Sequence, residues 1–128
     1  MDPSRLKDIG LFAELPDDDL RRIATLALEK SVAGGTELAR EGDFAYDMFV
    51  LEEGGAEVRH GGQTIAQLGP GDVVGEMGVL TKELRNADVV TTAPSRLIIL
   101  SHWDVRRLRK NLPDLDERLN AIIESRRS

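Results

Sequence analysis

Apolar positions change their period twice along the chain. In "LPDDDLRRIATLALE", residues 15–29, Leu20, Ile23, Ala24 and Ala27 recur at helical spacing, and Asp17 to Asp19 occupy the first turn, where negative charge favours the helix dipole. The spacing predicts an amphipathic helix. From Ser31 the pattern shifts to short segments rich in Val, Ile and Leu at 48–51, 57–60, 64–68, 88–92 and 96–100, which read as strands of one all-β unit. Turns punctuate this middle: of 12 glycines, only Gly10 lies outside the stretch from Gly34 to Gly78. After Leu100 the helical period returns. Ser101-His102-Trp103-Asp104 has the form of a capping box opening a helix that runs to about Asn111. Pro113 suits the first turn of another, on which Leu115, Leu119, Ile122 and Ile123 share one stripe.

One hairpin can be registered from the residues. In "AEVRHGGQTIAQ", Gly61-Gly62 supplies a two-residue turn with two positive φ angles, so His60 faces Gln63; counting back sets Val58 opposite Ile65 as a small apolar wall. Gly71 and Gly75 permit tight turns on either side of a short Val73-Val74 strand. With no internal repeat and no linker to divide it, the chain reads as a single domain: a helical part over 1–30, a β-roll over 31–100 and helices over 101–128.

Composition narrows the function classes. At 128 residues and 41% hydrophobic content the chain can bury one real core. A formal charge of −6 and few aromatic residues disfavour a nucleic-acid surface, so no direct DNA binding by this chain is expected. Residues 101–128 are too evenly charged for a DNA-reading unit. Cysteine is absent, which excludes disulfides, thiolate metal sites and cysteine nucleophiles. No apolar run approaches about 18 residues and "MDPSRLKDIG" has no signal-peptide core, so no membrane segment and a cytoplasmic location are expected.

Candidate chemistry concentrates in "GDVVGEMGVLTKELRNADVV", residues 71–90. A helical turn beginning at Glu76 would present free N–H groups and a positive dipole end, a ready anion site of phosphate size. Arg85, arriving at the start of the next strand, could offer a planar guanidinium to two phosphate oxygens. Glu76 would repel phosphate but can accept a hydrogen bond from a sugar hydroxyl. Phosphate and ribose together suggest a nucleotide.

These residues, with "GGTELAREGDFAYDMFVLEEGGAEV" before them, resemble the cyclic nucleotide-binding domain family over nearly the whole chain. The family's phosphate-binding cassette, Phe-Gly-Glu-(Leu/Ile)-(Ala/Gly) followed by Pro-Arg-(Ala/Thr/Ser)-Ala, is matched by Val74, Gly75, Glu76, Met77 and Gly78, then Leu84, Arg85, Asn86 and Ala87, within 73–88. Gly42, Gly54 and Gly71 match glycines of its turns. The resemblance implies a mainly β fold, an eight-stranded antiparallel β-roll (a jelly roll, or double-stranded β-helix) with an N-terminal helix and two C-terminal helices. It implies that Arg85 pairs with a cyclic phosphate, that Glu76 accepts the ribose 2′-hydroxyl, and that backbone N–H groups near Gly75, Met77 and Asn86 complete the cradle. Val58, Ile65, Ala66 and Ala87 would border the base. The ligand implied is cAMP, with cGMP as the other candidate; no cofactor or metal is implied. Three positions depart from the pattern: Val74 replaces an aromatic, Leu84 replaces proline, and Asn86 stands where a smaller residue is usual. Loss of the proline's fixed φ lowers the preorganisation of Arg85. Strand alternation from Arg85 and Ala87 puts Asp88 on the opposite, exposed face.

The expected function is a non-enzymatic sensor reporting occupancy through its C-terminal helices, the terminal stripe closing over the base and Arg126 a candidate cap. Its output would pass to a homodimer or to a fused or partner effector domain. Two other readings stay open. A metal-dependent enzyme on a similar roll needs clustered ligands, and two distant histidines offer few. A degenerate fold acting as a protein-interaction module without nucleotide fits the three departures. His60 and His102 are expected to face solvent, "RRLRK" at 106–110 to form a solvated helix face, and Trp103 to pack between helix and roll.

Overall fold

The computed structural model describes residues 1–43, 47–75 and 87–127. A 3₁₀ helix over Pro3–Asp8, capped by the Asp2 side chain, precedes α1, Asp17–Leu26. Eight strands follow among the described residues: β1 Leu28–Val32, β2 Glu37–Ala39, β3 Asp47–Glu53, β4 Ala56–His60, β5 Gln63–Leu68, β6 Val73–Val74, β7 Asp88–Thr91 and β8 Ser95–Ser101. Two helices close the chain, α2 over His102–Asn111 and α3 over Pro113–Arg127. The strands form two four-stranded antiparallel sheets, in the orders β1-β8-β3-β6 and β2-β7-β4-β5. This is the expected β-roll with flanking helices.

The first sheet is covered on both faces, which explains why β3 and β8 read as nearly continuous apolar runs. Met48, Val50, Ile98 and Leu100 project into a helical layer with Leu6, Phe12, Leu20, Ile23, Val105 and Leu108. Their neighbours Leu51 and Leu97 meet Ala39, Ala56, Val74 and Val89 between the two sheets. Period-2 alternation therefore assigns each strand residue to one of two cores. Gly54 shows how tightly the roll is closed: at φ +97 a Cβ there would lie 2.2 Å from Ser95 Oγ and 2.7 Å from Pro94 O, so only glycine fits.

Several expectations hold, among them the Ser101 cap, whose hydroxyl accepts from the Asp104 N–H at 3.2 Å. Others are corrected. Gly61 and Gly62 do take positive φ, 59 and 81, and His60 does face Gln63, but Val58 is opposite Ala66 and not Ile65. The register slips between Val58 and Arg59, Arg59 facing Thr64, so Ile65 is the extra residue of a β-bulge. Asp88 is half-buried, not exposed: its Oδ1 accepts from the Glu41 N–H at 2.7 Å. Trp103 is 63% exposed and so is not buried between helix and roll. Within "RRLRK", Leu108 is buried and Arg109 donates to Asp116 and Asn120, clasping α2 to α3.

The terminal stripe has a partner the pattern did not name. Leu115 and Leu119 are buried in the helical layer with Leu6, Phe12 and Leu15, Ile122 packs against it, and Ile123 is buried as well. Arg118 reinforces the docking, donating to the Gly10 carbonyl at 2.9 Å and to Glu14. At the other end of that layer Arg5 donates from Nε to Glu52 at 2.9 Å and pairs with Glu29, tying the 3₁₀ helix to β3 and β1. Hydrogen bonding to Glu52 pushes the Arg5 guanidinium further up in basicity.

Candidate functional site

The described residues fix both ends of the segment that carries the candidate chemistry. Its entry is held by a turn on β3. Gly69 N–H donates to Asp72 Oδ2 at 2.8 Å, Asp72 N–H to the Gly69 carbonyl at 3.1 Å, and the turn then docks through Gly71 N–H to the Leu51 carbonyl at 2.7 Å. Gly71, at φ +93, takes a conformation that L side chains rarely adopt, which is why glycine serves there. The turn delivers β6, whose Val73 and Val74 pair with Val50 and Phe49 and are both buried. Gly75 follows at φ +83, turning the chain out of the first sheet. At the exit, Ala87 is buried at 8% exposure immediately before β7 in the second sheet.

The wall beside this exit is built from three strands. β4 lies between β5 and β7, so Val58 faces Ala66 on one side and Val89 on the other. Val58 is half-buried against the inter-sheet core and Ala66 is exposed. Ile65, displaced by the bulge, is 61% exposed. Of the predicted base-bordering residues, Val58 and Ala66 are thus adjacent, while Ala87 lies two positions before Val89, Val58's partner across the ladder. Val89 is an addition that alternation from Ala87 could have supplied.

Charges flanking this wall are internally matched. Arg59 donates from both Nε (3.1 Å) and a terminal nitrogen (2.8 Å) to Glu57, which also accepts from the Thr64 hydroxyl at 3.3 Å. The Arg59 hydrogen bonds hold the Glu57 carboxyl below its usual range. His60, on the same strand, lies 3.3 Å from Glu41 and is largely exposed, as expected. Glu76, Met77, Arg85 and Asn86, the residues expected to touch phosphate and ribose, lie outside the described residues, as does the Arg126 side chain. Among the described residues no helix is long and apolar enough to cross a membrane.

Comparison with known proteins places this frame. Residues 29–111 match the model of the cyclic nucleotide-binding domain. A protein of Rhodopseudomonas palustris, provisionally named a potassium channel protein, is 31% identical over 96% of this chain and 31% of its own length. The cAMP-dependent protein kinase type II regulatory subunit of Drosophila melanogaster is 26% identical over 94% of this chain and 36% of its own. The catabolite activator protein of Thermus thermophilus has the same fold, with a TM-score of 0.81 and 27% identity over 91% of this chain and 57% of its own. The chain therefore spans about a third of the two curated relatives and little more than half of the solved one. A family match running from β1 to the end of α2, on a two-sheet roll whose glycine turns and apolar wall frame the cassette, shows that this chain belongs to the cyclic nucleotide-binding domain family.

Proposed function

We propose that the chain is a cAMP-binding regulatory domain that holds its ligand between Gly75 and Ala87 and works by binding rather than catalysis. The observation that carries this is the frame itself. The 75–87 segment leaves one sheet through a positive-φ glycine and enters the other at a buried alanine, one strand away from the half-buried Val58. In this reading Arg85 pairs with the cyclic phosphate, Glu76 accepts the ribose 2′-hydroxyl, and backbone N–H groups near Gly75, Met77 and Asn86 complete the cradle. Val58, Ala66 and Ala87 line the base, and the exposed Ile65 on the same hairpin is apolar area that a bound base can cover. Arg59 is already matched by Glu57, and in this reading the phosphate's charge partner is Arg85. Relatives named for cAMP and for cGMP dependence are about equally similar, so cGMP is titrated beside cAMP.

Occupancy would be reported by α3 through a shift of population. In the structure α3 is docked on the N-terminal layer through Leu115, Leu119 and Ile122 and held by Arg118. Closing over the base therefore requires it to leave that layer, and ligand contacts must outweigh the lost packing. The test of the site is calorimetry on Arg85→Ala. Binding of cAMP weakened by about 2 to 4 kcal/mol on an intact fold supports the phosphate assignment, and an unchanged affinity refutes it.

A further inference from the structure

We propose that the outer stripe of α2 is a docking surface for an acidic segment of a partner protein, one that lays an apolar or aromatic side chain on Trp103. At about 100° per residue, Trp103, Arg106, Arg107 and Lys110 fall within one stripe roughly 100° wide. Val105 and Leu108, which point into the helical core, lie on the opposite side. Trp103 is 63% exposed, and the Arg106 guanidinium lies 5.5 Å from its ring centroid. A side chain of that size is worth about 2 to 3 kcal/mol when fully buried, and most of that is left unrealised in this fold.

The cations beside it lack carboxylate partners. Among the described residues Arg106, Arg107 and Lys110, like the isolated Arg22 and Lys30, have no ion-pair partner, whereas Arg5, Arg40, Arg59, Arg96 and Arg118 each meet a carboxylate; only on α2 do such cations gather on one stripe. The helix dipole accounts for Lys110 in the last turn but not for Arg106 and Arg107 in the middle. Solubility does not account for them either, because in a chain of formal charge −6 three extra cations reduce the net charge. Tryptophan and arginine side by side are the residue types that dominate binding energy at protein interfaces.

Charge complementarity selects the occupant. The stripe offers three unpaired cations over the roughly 10 Å from Trp103 to Lys110, the length of about two helical turns. Asp104, Asp114 and Glu117 lie close to it in the chain. A membrane or a nucleic-acid duplex extending past the stripe would meet this surrounding negative charge, while a short acidic segment would not.

Trp103 is the chain's only tryptophan, so its intrinsic emission reports on the stripe directly. The probe is a synthetic tryptophan-free peptide with four glutamates around a Leu-Phe pair, compared with its lysine-for-glutamate counterpart, each titrated into the full chain. The expected result is a saturable blue shift with the acidic peptide alone, with affinity falling about tenfold or more in Arg106→Ala/Arg107→Ala/Lys110→Ala. Replacing the arginines by lysine should retain most of the binding. If the triple variant loses its helical circular dichroism, Trp103→Ala, read by anisotropy of the labelled peptide, takes its place and should weaken binding similarly. No shift, an equal shift with the basic peptide, or undiminished binding in the variants would overturn the proposal. So would a stronger response to phosphatidylserine vesicles, to a DNA duplex, or to a rise in the concentration of the protein alone.

Discussion

Gly54 and Glu76 mark the two ways a single residue matters here. Gly54 is needed for the fold, since any Cβ would run into Ser95 and the Pro94 carbonyl. Gly54→Ala is expected to cost about 2 kcal/mol or more by chemical denaturation, with wild-type ligand affinity whenever the variant is folded. Glu76, in the proposed site, should matter only to ligand. Glu76→Gln keeps an acceptor but loses the charge, so cAMP binding should weaken by about 1 to 2 kcal/mol, while 2′-deoxy-cAMP should show a much smaller difference between variant and wild type. Equal losses for both ligands would mean that Glu76 acts through structure and not through the sugar. Of the two, the turn at Gly54 was legible in the sequence, and the same reading nominated Glu76. The turn at Gly54 and the pair Glu76 and Arg85 stand out through family spacing, and the two-glycine turn at Gly61-Gly62 through elementary φ preference. The bulge at Ile65 was not legible, because a period of two carries no mark of one inserted residue, and a register counted from the turn fails beyond it.

Among the elements, α3 shows how an amphipathic pattern gives a face but not its partner. Its stripe was plain from spacing, yet the core it joins includes Leu6, Phe12 and Leu15, about a hundred positions earlier. β1 was hidden for a related reason. Its Leu28 continues the helical run of Leu26 and Ala27, and four of its five residues are exposed, so neither period announces a strand. Because α3 shares the core, removing residues 114–127 would damage the helical layer and confuse a loss of lid with a loss of fold. Leu119→Ala should by itself cost about 2 to 5 kcal/mol of stability. The clamp is the better lever. Arg118→Met removes the hydrogen bonds to Gly10 and Glu14 with little loss of volume. If ligand favours undocked α3, this change should tighten cAMP binding by up to about fivefold, and hydrogen exchange in the 115–123 stretch should respond to cAMP in the wild type. Unchanged affinity together with unchanged exchange would make α3 a packing element only.

For the whole molecule, the first sheet serves as a shared wall. Its β3 and β8 send alternate residues into the helical layer and into the roll, so β6, the entry to the 75–87 segment, and the helical layer are attached to the same sheet. The net charge of −6 does not by itself favour an anionic ligand, so in the proposed site one arginine and a set of backbone donors would have to oppose the long-range field. Such a site should discriminate by the shape of the phosphate. The most direct measurement is a calorimetric titration of the full chain with cAMP alongside 5′-AMP, which carries the same base and ribose but an open, more highly charged phosphate. Saturable binding at one site for cAMP, with 5′-AMP weaker by about tenfold or more, is the predicted result. A folded chain that takes up neither cAMP nor cGMP, or that binds cAMP and 5′-AMP equally well, would contradict it.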